Sequence, residues 1–389
     1  MAEISDRPIA AQYVATFLKP EMQHIYRQVS GLRAWRPMVI CQKRENSGLF
    51  PFQDVVVVPK PITHQLRRLW QKQIRGRPII MYHREARRLA AELQRMKAEL
   101  LHVYFGHIGV HLLPLLERSE FPVVVSFHGA DAQVDLGRPA HRECTQRMLE
   151  LIDVAAVRSK SIAARLIDLG CDPGKIKLHR TGIPVAQIPV FHRQPPADGA
   201  WRCVQACRLI PKKGLLTTLH AFAAFVRNHP HATLTIPGRG PMLEELKSLS
   251  AQLGIAERVF FIDFVTPEEL FAIYHEAHLF LHPSELAPDG NQEGVPNSML
   301  EAMATGLPVL ATRHGGIPEA VEHGVSGMLV AEKDSEGLAR AMGELASSPE
   351  RYLAMSRAAR ERVEQEFGLA VQITRLEAIY EEARTRFRS

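Results

Sequence analysis

Short apolar runs rich in β-branched residues alternate with longer amphipathic stretches along most of the chain. This alternation predicts βαβ units, in which helices connect the strands of a parallel sheet. The pattern indicates an α/β protein with strands in both halves. The twelve predicted strands are Met38–Cys41, Asp54–Val58, Leu101–Phe105, Pro122–Phe127, Asp153–Val157, Lys175–His179, Arg202–Cys207, Ala232–Ile236, Val259–Ile262, Leu279–His282, Pro308–Ala311 and Met328–Val330.

A non-periodic segment with four prolines, IPVAQIPVFHRQPPADGAW, separates the two sets of strands. Such a stretch is typical of a linker and predicts a domain boundary near residue 195. The expected domains are residues 1–195 and 196–365, followed at 366–389 by a C-terminal helix that packs back on the first domain. We expect two Rossmann-like, doubly wound domains facing each other across a cleft, with ligands at the carboxyl ends of strands.

Composition excludes several classes of protein. The 389 residues are 46% hydrophobic and 23% charged, which is ordinary for a folded protein and long enough for two domains. The five cysteines form no C-x-x-C pair, and neither a disulfide framework nor a zinc site is predicted. No signal peptide or membrane-spanning run is visible, so the expected location is the cytoplasm.

Charge is distributed unevenly along the chain. Residues 1–195 hold 29 Lys and Arg against 17 Asp and Glu, whereas residues 196–389 hold 19 against 25. The basic first half suggests an anionic partner, and a solvated basic face with no partner is the alternative. No nucleic-acid motif accompanies the charge, so nucleic acid is the less favoured partner.

A basic amphipathic stretch, ITHQLRRLWQKQIR at residues 62–75, lies within this first half. It predicts an acceptor-side or membrane-side surface that docks at the inner leaflet of the plasma membrane. A core-facing helix with a solvated cationic face would show the same pattern. The residues assigned to this surface are Arg67, Arg68, Trp70 and Lys72.

Two glycine-containing turns in the second half carry candidate chemistry. In RLIPKKG, Arg208 and Lys213 flank a strand-to-helix turn, where two cations would neutralise a diphosphate; a solvated turn is the alternative. In GRGPML, Gly238 and Gly240 begin a glycine motif, but Leu243 occupies the third glycine position of the dinucleotide fingerprint. An NAD site is therefore not predicted.

The segment EGVPNSMLE places two carboxylates around a predicted helix start. Glu293 lies in a loop, and the helix begins near Asn297 and Ser298, where backbone N–H groups and the helix dipole suit a phosphate oxygen. Glu301, one turn into the helix, could accept hydrogen bonds from ribose hydroxyls. The alternative is a helix capped by Asn297 with two solvated glutamates.

The order R-L-I-P-K-K-G, G-R-G-P, E-G-V-P-N-S-M-L-E-A-M-A-T-G-L-P-V and G-G-I-P-E over residues 202–332 resembles the nucleotide-sugar half of the family-4 retaining glycosyltransferases. The resemblance implies the GT-B fold, a nucleoside diphosphate sugar as donor, retained anomeric configuration, and neither cofactor nor metal. It implies that Arg208 and Lys213 bind the diphosphate, Glu301 the ribose and Glu293 the sugar hydroxyls. The remaining donor-binding residues implied are Gly238, Gly294, Asn297 and Ser298.

The first half contains a second match to that family. His128, Gly129, Ala130 and Asp131 follow a predicted strand and resemble the family's H-G-x-D segment, which implies that His128 contacts the donor sugar and supports catalysis. A partly buried turn histidine is the alternative. The segment VATFLKPEMQHIYRQVSGL lacks the family's glycine-rich loop and resembles the exopolysaccharide and capsule subgroup, so no donor contact is assigned there.

These observations predict a retaining glycosyltransferase that transfers a sugar to a lipid-linked or cell-envelope saccharide. A UDP-sugar is the favoured donor and GDP-mannose the alternative. Two other functions remain open: an enzyme with a soluble acceptor, such as a sugar phosphate, an aminocyclitol or a natural product, and a non-catalytic nucleotide-sugar binding protein.

Overall fold

The computed structural model describes residues 7–19, 22–59, 76–129, 137–287 and 293–388. The chain divides into two compact units, Met1–Gly182 with Leu369–Ser389, and Ile183–Gly368. The described strands, all in parallel pairs, are β1 Ile9–Phe17, β2 Arg36–Arg44, β3 Val55–Val57, β4 Ala98–Tyr104, β5 Val123–Phe127, β6 Val154–Val157, β7 Ile176–Leu178, β8 Arg202–Val204, β9 Thr233–Pro237, β10 Val259–Ile262, β11 Leu279–His282, β12 Val309–Thr312 and β13 Gly327–Val330.

Helices cover these sheets and connect their parallel strands. In the first unit the described helices are α1 Gln23–Ser30, α2 His83–Arg95, α3 Gly106–His111, α4 Leu113–Leu116, α5 Pro139–Leu151, α6 Lys160–Asp168 and, from the end of the chain, α14 Leu369–Arg388. In the second unit they are α7 Leu215–Val226, α8 Leu243–Gln252, α9 Pro267–Glu276, α10 Asn297–Ala304, α11 Ile317–Ala320, α12 Ser335–Ala346 and α13 Pro349–Phe367. Among the described residues, no helix combines the length and apolar character that crossing a bilayer requires.

Both sheets have the doubly wound order. The first runs β3-β2-β1-β4-β5-β6-β7 and the second β10-β9-β8-β11-β12-β13. In each sheet the strand order reverses beside its first strand, between β1 and β4 and between β8 and β11. Open parallel sheets bind ligands at the carboxyl ends of strands near such a switch point.

All twelve predicted strands are confirmed, with bounds that differ by a few residues, but the prediction omitted β1. This strand is central: Tyr13 pairs with Ile40 on one side and with Val103 on the other. Its sequence, IAAQYVATF, contains alanines and a glutamine rather than a β-branched run. Gln12 is nevertheless fully buried, because Tyr104 and Tyr380 supply hydrogen-bond partners inside the unit.

The boundary predicted near residue 195 lies too late in the chain, because the second unit begins at Ile183. The proline-rich segment is packed rather than free: Ile183, Val185 and Ile188 belong to an apolar core cluster of the second unit. Arg193 is buried and donates hydrogen bonds to the carbonyl oxygens of His275 and Ala277 and to Thr305 Oγ1.

The chain ends in two helices, α13 and α14, with Gly368 between them. The first, α13, belongs to the second unit and the last, α14, to the first unit. On α14, Leu376, Ile379 and Tyr380 are buried against the sheet in a cluster that includes Val124 and Trp35. Burial of each large apolar side chain contributes about 1.5–3 kcal/mol, so α14 is an integral layer of that unit.

Candidate active site

In the second unit, the predicted donor residues lie at the switch point between β8 and β11. Arg208 and the 3-10 turn Pro211–Lys213 follow β8, and the segment that leads toward Glu293 follows β11. Because β8 and β11 are parallel neighbours, their carboxyl ends lie at the same edge of the sheet. The fold therefore brings together residues that are about 80 positions apart in sequence.

The turn Pro211–Lys213 and the following Gly214 contact the segments that follow β8 and β11. Gly214 has φ +63°, and a Cβ at this position would lie 1.8 Å from the carbonyl oxygen of Pro283, so only glycine fits. The carbonyl oxygen of Lys213 accepts a 2.8 Å hydrogen bond from Nε2 of the buried Gln205. These contacts fix the backbone from which the Lys213 side chain extends.

Lys213 and Glu293 form a nearly buried ion pair. The Nζ of Lys213 lies 2.5 Å from Oε2 of Glu293, and the two side chains are only 10% and 12% exposed. A second ammonium, on Lys212, lies 3.7 Å from the same carboxylate oxygen. Lys212 was not among the predicted site residues, although the Lys-Lys doublet in the sequence is a signal that points to it.

Charge and burial determine the protonation states around this pair. Burial alone would raise the pKa of Glu293, but the ammonium of Lys213, helped by that of Lys212, outweighs it and holds the pKa below the ordinary 4.5. Burial lowers the pKa of Lys212, and Glu293 opposes this effect. Burial, followed by the charge of Lys213, lowers the pKa of His282 to about 3, so this ring is neutral at neutral pH.

His314 and Gly315 fix the position of the Glu293 backbone. His314 accepts a 3.1 Å hydrogen bond at Nε2 from the Glu293 N–H, and its Nδ1 lies 2.8 Å from Oε1 of Glu332. This arrangement fixes the Nδ1–H tautomer of His314. Gly315 has φ +54°, and a Cβ there would lie 2.0 Å from the Glu293 carbonyl oxygen. The G-G-I-P-E motif therefore supports the loop that carries the carboxylate.

The helix start was predicted correctly, and α10 begins at Asn297. Pro296 occupies the N-cap position and Asn297 is the exposed first residue of the helix, so the alternative of a helix capped by Asn297 is wrong. The hydroxyl of Ser298 donates a 2.8 Å hydrogen bond to the carbonyl oxygen of Ala206, which attaches α10 to the loop after β8. Glu301 lies one turn into the helix and is half-buried.

Gly238 packs against the loop that follows β8, and Arg208 is part of that loop. A Cβ on Gly238, whose φ is +151°, would lie 1.8 Å from the Cys207 carbonyl oxygen, and its N–H donates a 2.9 Å hydrogen bond to Ile262. Close backbone packing thus accounts for this glycine, and donor contact there stays a prediction. Arg208 is exposed, and its charge reaches Lys212 strongly enough to lower that residue's pKa further.

In the first unit, His128 directly follows β5 and is half-buried. Its Nδ1 lies 3.2 Å from Nε2 of His24, and its Nε2 lies 2.9 Å from Oγ of Ser126. Burial, followed by the guanidinium of Arg158, lowers its pKa well below 6.5, so the ring is neutral at neutral pH. The contact with His24 was not anticipated from the sequence.

Several predicted residues lie outside the described part of the chain. They are the basic surface residues Arg67, Arg68, Trp70 and Lys72, together with Ala130 and Asp131 of the H-G-x-D segment. Their proposed roles stay predictions from sequence.

Comparison with known proteins identifies the family. Residues 23–187 match the family described as Glycosyltransferase Family 4, and residues 190–362 match Glycosyl transferases group 1. The amylovoran biosynthesis glycosyltransferase AmsK of Erwinia amylovora is 32% identical over 295 residues, which are 75% of this chain and 72% of that protein. The chain belongs to glycosyltransferase family 4.

Two further comparisons bear on the fold and the donor. This family-4 chain is 38% identical over 154 residues, 39% of its length and 40% of the relative's, to the GDP-mannose-dependent α-(1-6)-phosphatidylinositol monomannoside mannosyltransferase of Mycolicibacterium smegmatis. HepE of Anabaena, solved in complex with UDP, superposes with a TM-score of 0.74 at 18% identity, covering 95% of this chain and 98% of that one. The fold is GT-B, with two Rossmann-like parallel-sheet units, as predicted.

Proposed function

We propose that this chain is a retaining, metal-independent glycosyltransferase that extends a lipid-linked or cell-envelope saccharide, with a UDP-sugar as favoured donor and GDP-mannose as the alternative. The observation that carries the proposal is the Lys213–Glu293 pair at the switch point of the second sheet. AmsK is named for amylovoran biosynthesis, the mycobacterial relative acts on a phosphatidylinositol mannoside, and HepE was solved with UDP. These names support a saccharide acceptor and a nucleotide-sugar donor.

The pair has a chemical reason to lie at a donor site. Lys213 is already neutralised by Glu293, so a diphosphate that takes Lys213 as its partner frees the carboxylate to accept hydrogen bonds from donor hydroxyls. Diphosphate binding and sugar binding are therefore coupled through one ion pair. Lys212 and Arg208 add positive charge, and the first N–H groups of α10 add hydrogen-bond donors for a phosphate oxygen.

In the proposed reaction, the bond between the anomeric carbon and the diphosphate oxygen breaks, and the electron pair leaves with the nucleoside diphosphate. The acceptor hydroxyl attacks the same face of the sugar, which retains the configuration, and its proton passes to the departing phosphate oxygen. Lys213 and Arg208 stabilise the charge that develops on the leaving group. Glu301 holds the ribose hydroxyls, and His128 contacts the donor sugar.

Nucleoside diphosphate release tests this function. We expect UDP release from UDP-glucose, or GDP release from GDP-mannose, slowly without acceptor, and we expect the rate to survive excess EDTA. The reason is that side chains and a helix end supply the positive charge that a metal ion would otherwise provide. Loss of release with EDTA that magnesium or manganese restores would contradict metal independence.

Nucleoside diphosphate release, combined with ligand binding and product analysis, separates the alternative functions. A non-catalytic binding protein would show a thermal shift with UDP or GDP but no release from either sugar nucleotide. An enzyme with a soluble acceptor would transfer sugar at full rate without lipid. Retention is read from the anomeric configuration of the product by NMR, and inversion would contradict the proposed same-face attack.

The basic stretch at residues 62–75 motivates a proposal about the acceptor side. We expect binding to vesicles that rises with anionic lipid content and falls with salt, because each Lys or Arg near such a surface contributes about 1 kcal/mol and the interaction is screened over roughly 8–10 Å. The measurement is co-sedimentation with phosphatidylglycerol-containing and neutral phosphatidylcholine liposomes.

The matched variants for this measurement reverse three charges each. Arg67→Glu with Arg68→Glu and Lys72→Glu should weaken binding. The control, Lys247→Glu with Arg340→Glu and Arg351→Glu, reverses two exposed charges and one half-buried charge of the second unit and should not. Equal binding to neutral and anionic vesicles would contradict the membrane proposal.

A further inference from the structure

The ring of His128 is held by two hydrogen bonds whose directions are linked. Between His128 Nδ1 and His24 Nε2, 3.2 Å apart, only one of the two nitrogens carries the shared proton. If His24 donates, the proton of His128 lies on Nε2 and faces Ser126 Oγ at 2.9 Å; if His128 donates, the Ser126 hydroxyl donates to Nε2 instead. In both cases the tautomer of His128 is determined together with that of His24.

The helix that carries His24 is anchored to the interior of the first unit. His24 and Gln28 are four residues apart and share one face of α1. The Gln28 amide donates a 3.2 Å hydrogen bond to the Tyr104 hydroxyl and accepts a 2.9 Å hydrogen bond from Arg158. Because Gln28 is 3% exposed, α1 has little freedom to rotate, and the position of His24 is set with it.

Both histidines lie in segments that follow parallel strands of the first sheet. His24 follows β1 and His128 follows β5, and between these two strands the sheet contains β4, which ends at Tyr104. The rings of His24 and His128 also contact each other, with centroids 5.3 Å apart. A residue of the first helix, α1, is thus in direct contact with His128, the first residue of the H-G-x-D segment.

We propose that His24 is a positioning residue that fixes the orientation and tautomer of His128. The inference rests on the proposed function, in which His128 contacts the donor sugar. It assigns a role to a segment for which the sequence predicted no donor contact. His24 acts through His128, so removing its hydrogen bond impairs sugar transfer while the binding of a nucleoside diphosphate, which lacks the sugar, is unchanged.

Three variants test this role. His24→Phe keeps an aromatic ring but removes the hydrogen bond, His24→Gln returns an amide that can donate or accept one, and Gln23→Ala changes the exposed neighbour on the same helix. We expect His24→Phe to lower kcat for UDP-glucose or GDP-mannose hydrolysis by about 10-fold, with the Kd for UDP or GDP unchanged. His24→Gln should recover most of the rate, and Gln23→Ala should match wild type.

A spectroscopic measurement tests the tautomer directly. In protein labelled with 15N-histidine, the His128 ring nitrogens of the wild type should report a single neutral tautomer, and His24→Phe should change their shifts. Ring nitrogens of wild-type His128 averaged between tautomers would overturn the inference, whether or not His24→Phe folds. Wild-type kcat in His24→Phe, or a loss that His24→Gln does not recover, would also overturn it.

His128→Ala separates this inference from the proposed function. If His128→Ala hydrolyses donor at the wild-type rate, the proposed role of His128 fails. If His128→Ala is inactive while His24→Phe is fully active, the proposed function stands and only the role of His24 fails.

Discussion

Replacing Lys213 with alanine should lower the rate of nucleoside diphosphate release by at least about 100-fold, because it removes the ammonium group that we propose stabilises the leaving group. Its ammonium lies in a nearly buried site, where electrostatic stabilisation is stronger than in water. Lys212 does not substitute fully, since its Nζ lies 3.7 Å from Glu293 Oε2 whereas the Lys213 Nζ lies at 2.5 Å.

A control on the same unit shows whether any loss of positive charge has this effect. Lys247 on α8 is about half exposed and pairs with Glu244 at 3.0 Å. Lys247→Ala should retain wild-type turnover, and both variants should keep the wild-type circular dichroism spectrum. Near-normal turnover in Lys213→Ala would remove this lysine from the proposed mechanism.

Local pattern predicted most of the fold, and the missing element shows its limit. The strand Val123–Phe127 contains three consecutive valines and a phenylalanine, a β-branched apolar pattern that is recognisable from sequence alone. Strand β1 contains Gln12, which is buried with hydrogen bonds to Tyr104 and to Tyr380, 368 positions later. A contact over that separation leaves no signal in the local pattern.

The domain boundary was predicted at the wrong position for a related reason. Four prolines indicate an irregular segment, but irregular backbone can still be packed. The composition of the segment that contains Ile183, Val185 and Ile188 does not distinguish a free linker from a segment packed in the core of the second unit. Only the tertiary contacts, including the buried Arg193, distinguish the two cases.

In the candidate site, the motifs identified residue types but not their pairing. Arg208, Lys213, Glu293 and Glu301 were singled out by turn and helix-start chemistry, with separate roles for the lysine and the first glutamate. The direct ion pair between Lys213 and Glu293 arises from the parallel pairing of β8 with β11, which sequence spacing does not specify. The support of Glu293 by His314 and Glu332 depends likewise on packing between separate segments.

Glu293→Gln should lower the free energy of unfolding by about 3 kcal/mol, because it leaves two nearly buried ammonium groups without their carboxylate. The effect depends on pH with a definite sign. The pKa of Glu293 in the folded protein lies below 4.5, so the pair stabilises the fold fully above that pH and less as the pH falls through the lower folded value. The glutamine variant should lack this part of the acid dependence.

The same substitution should separate the two halves of donor recognition. Without Glu293, Lys212 and Lys213 lose the carboxylate that they share, so UDP or GDP should raise the melting temperature of Glu293→Gln more than that of wild type. Turnover of the sugar nucleotide should nevertheless fall, because the carboxylate proposed to bind the sugar hydroxyls is gone. Glu244→Gln, which changes an exposed carboxylate beside Lys247, should alter neither quantity. The contradicting outcome is a smaller thermal shift with UDP and GDP in Glu293→Gln than in wild type. It would show that the carboxylate does not compete with the diphosphate for Lys213. The proposed coupling of phosphate and sugar binding through this ion pair would then be wrong.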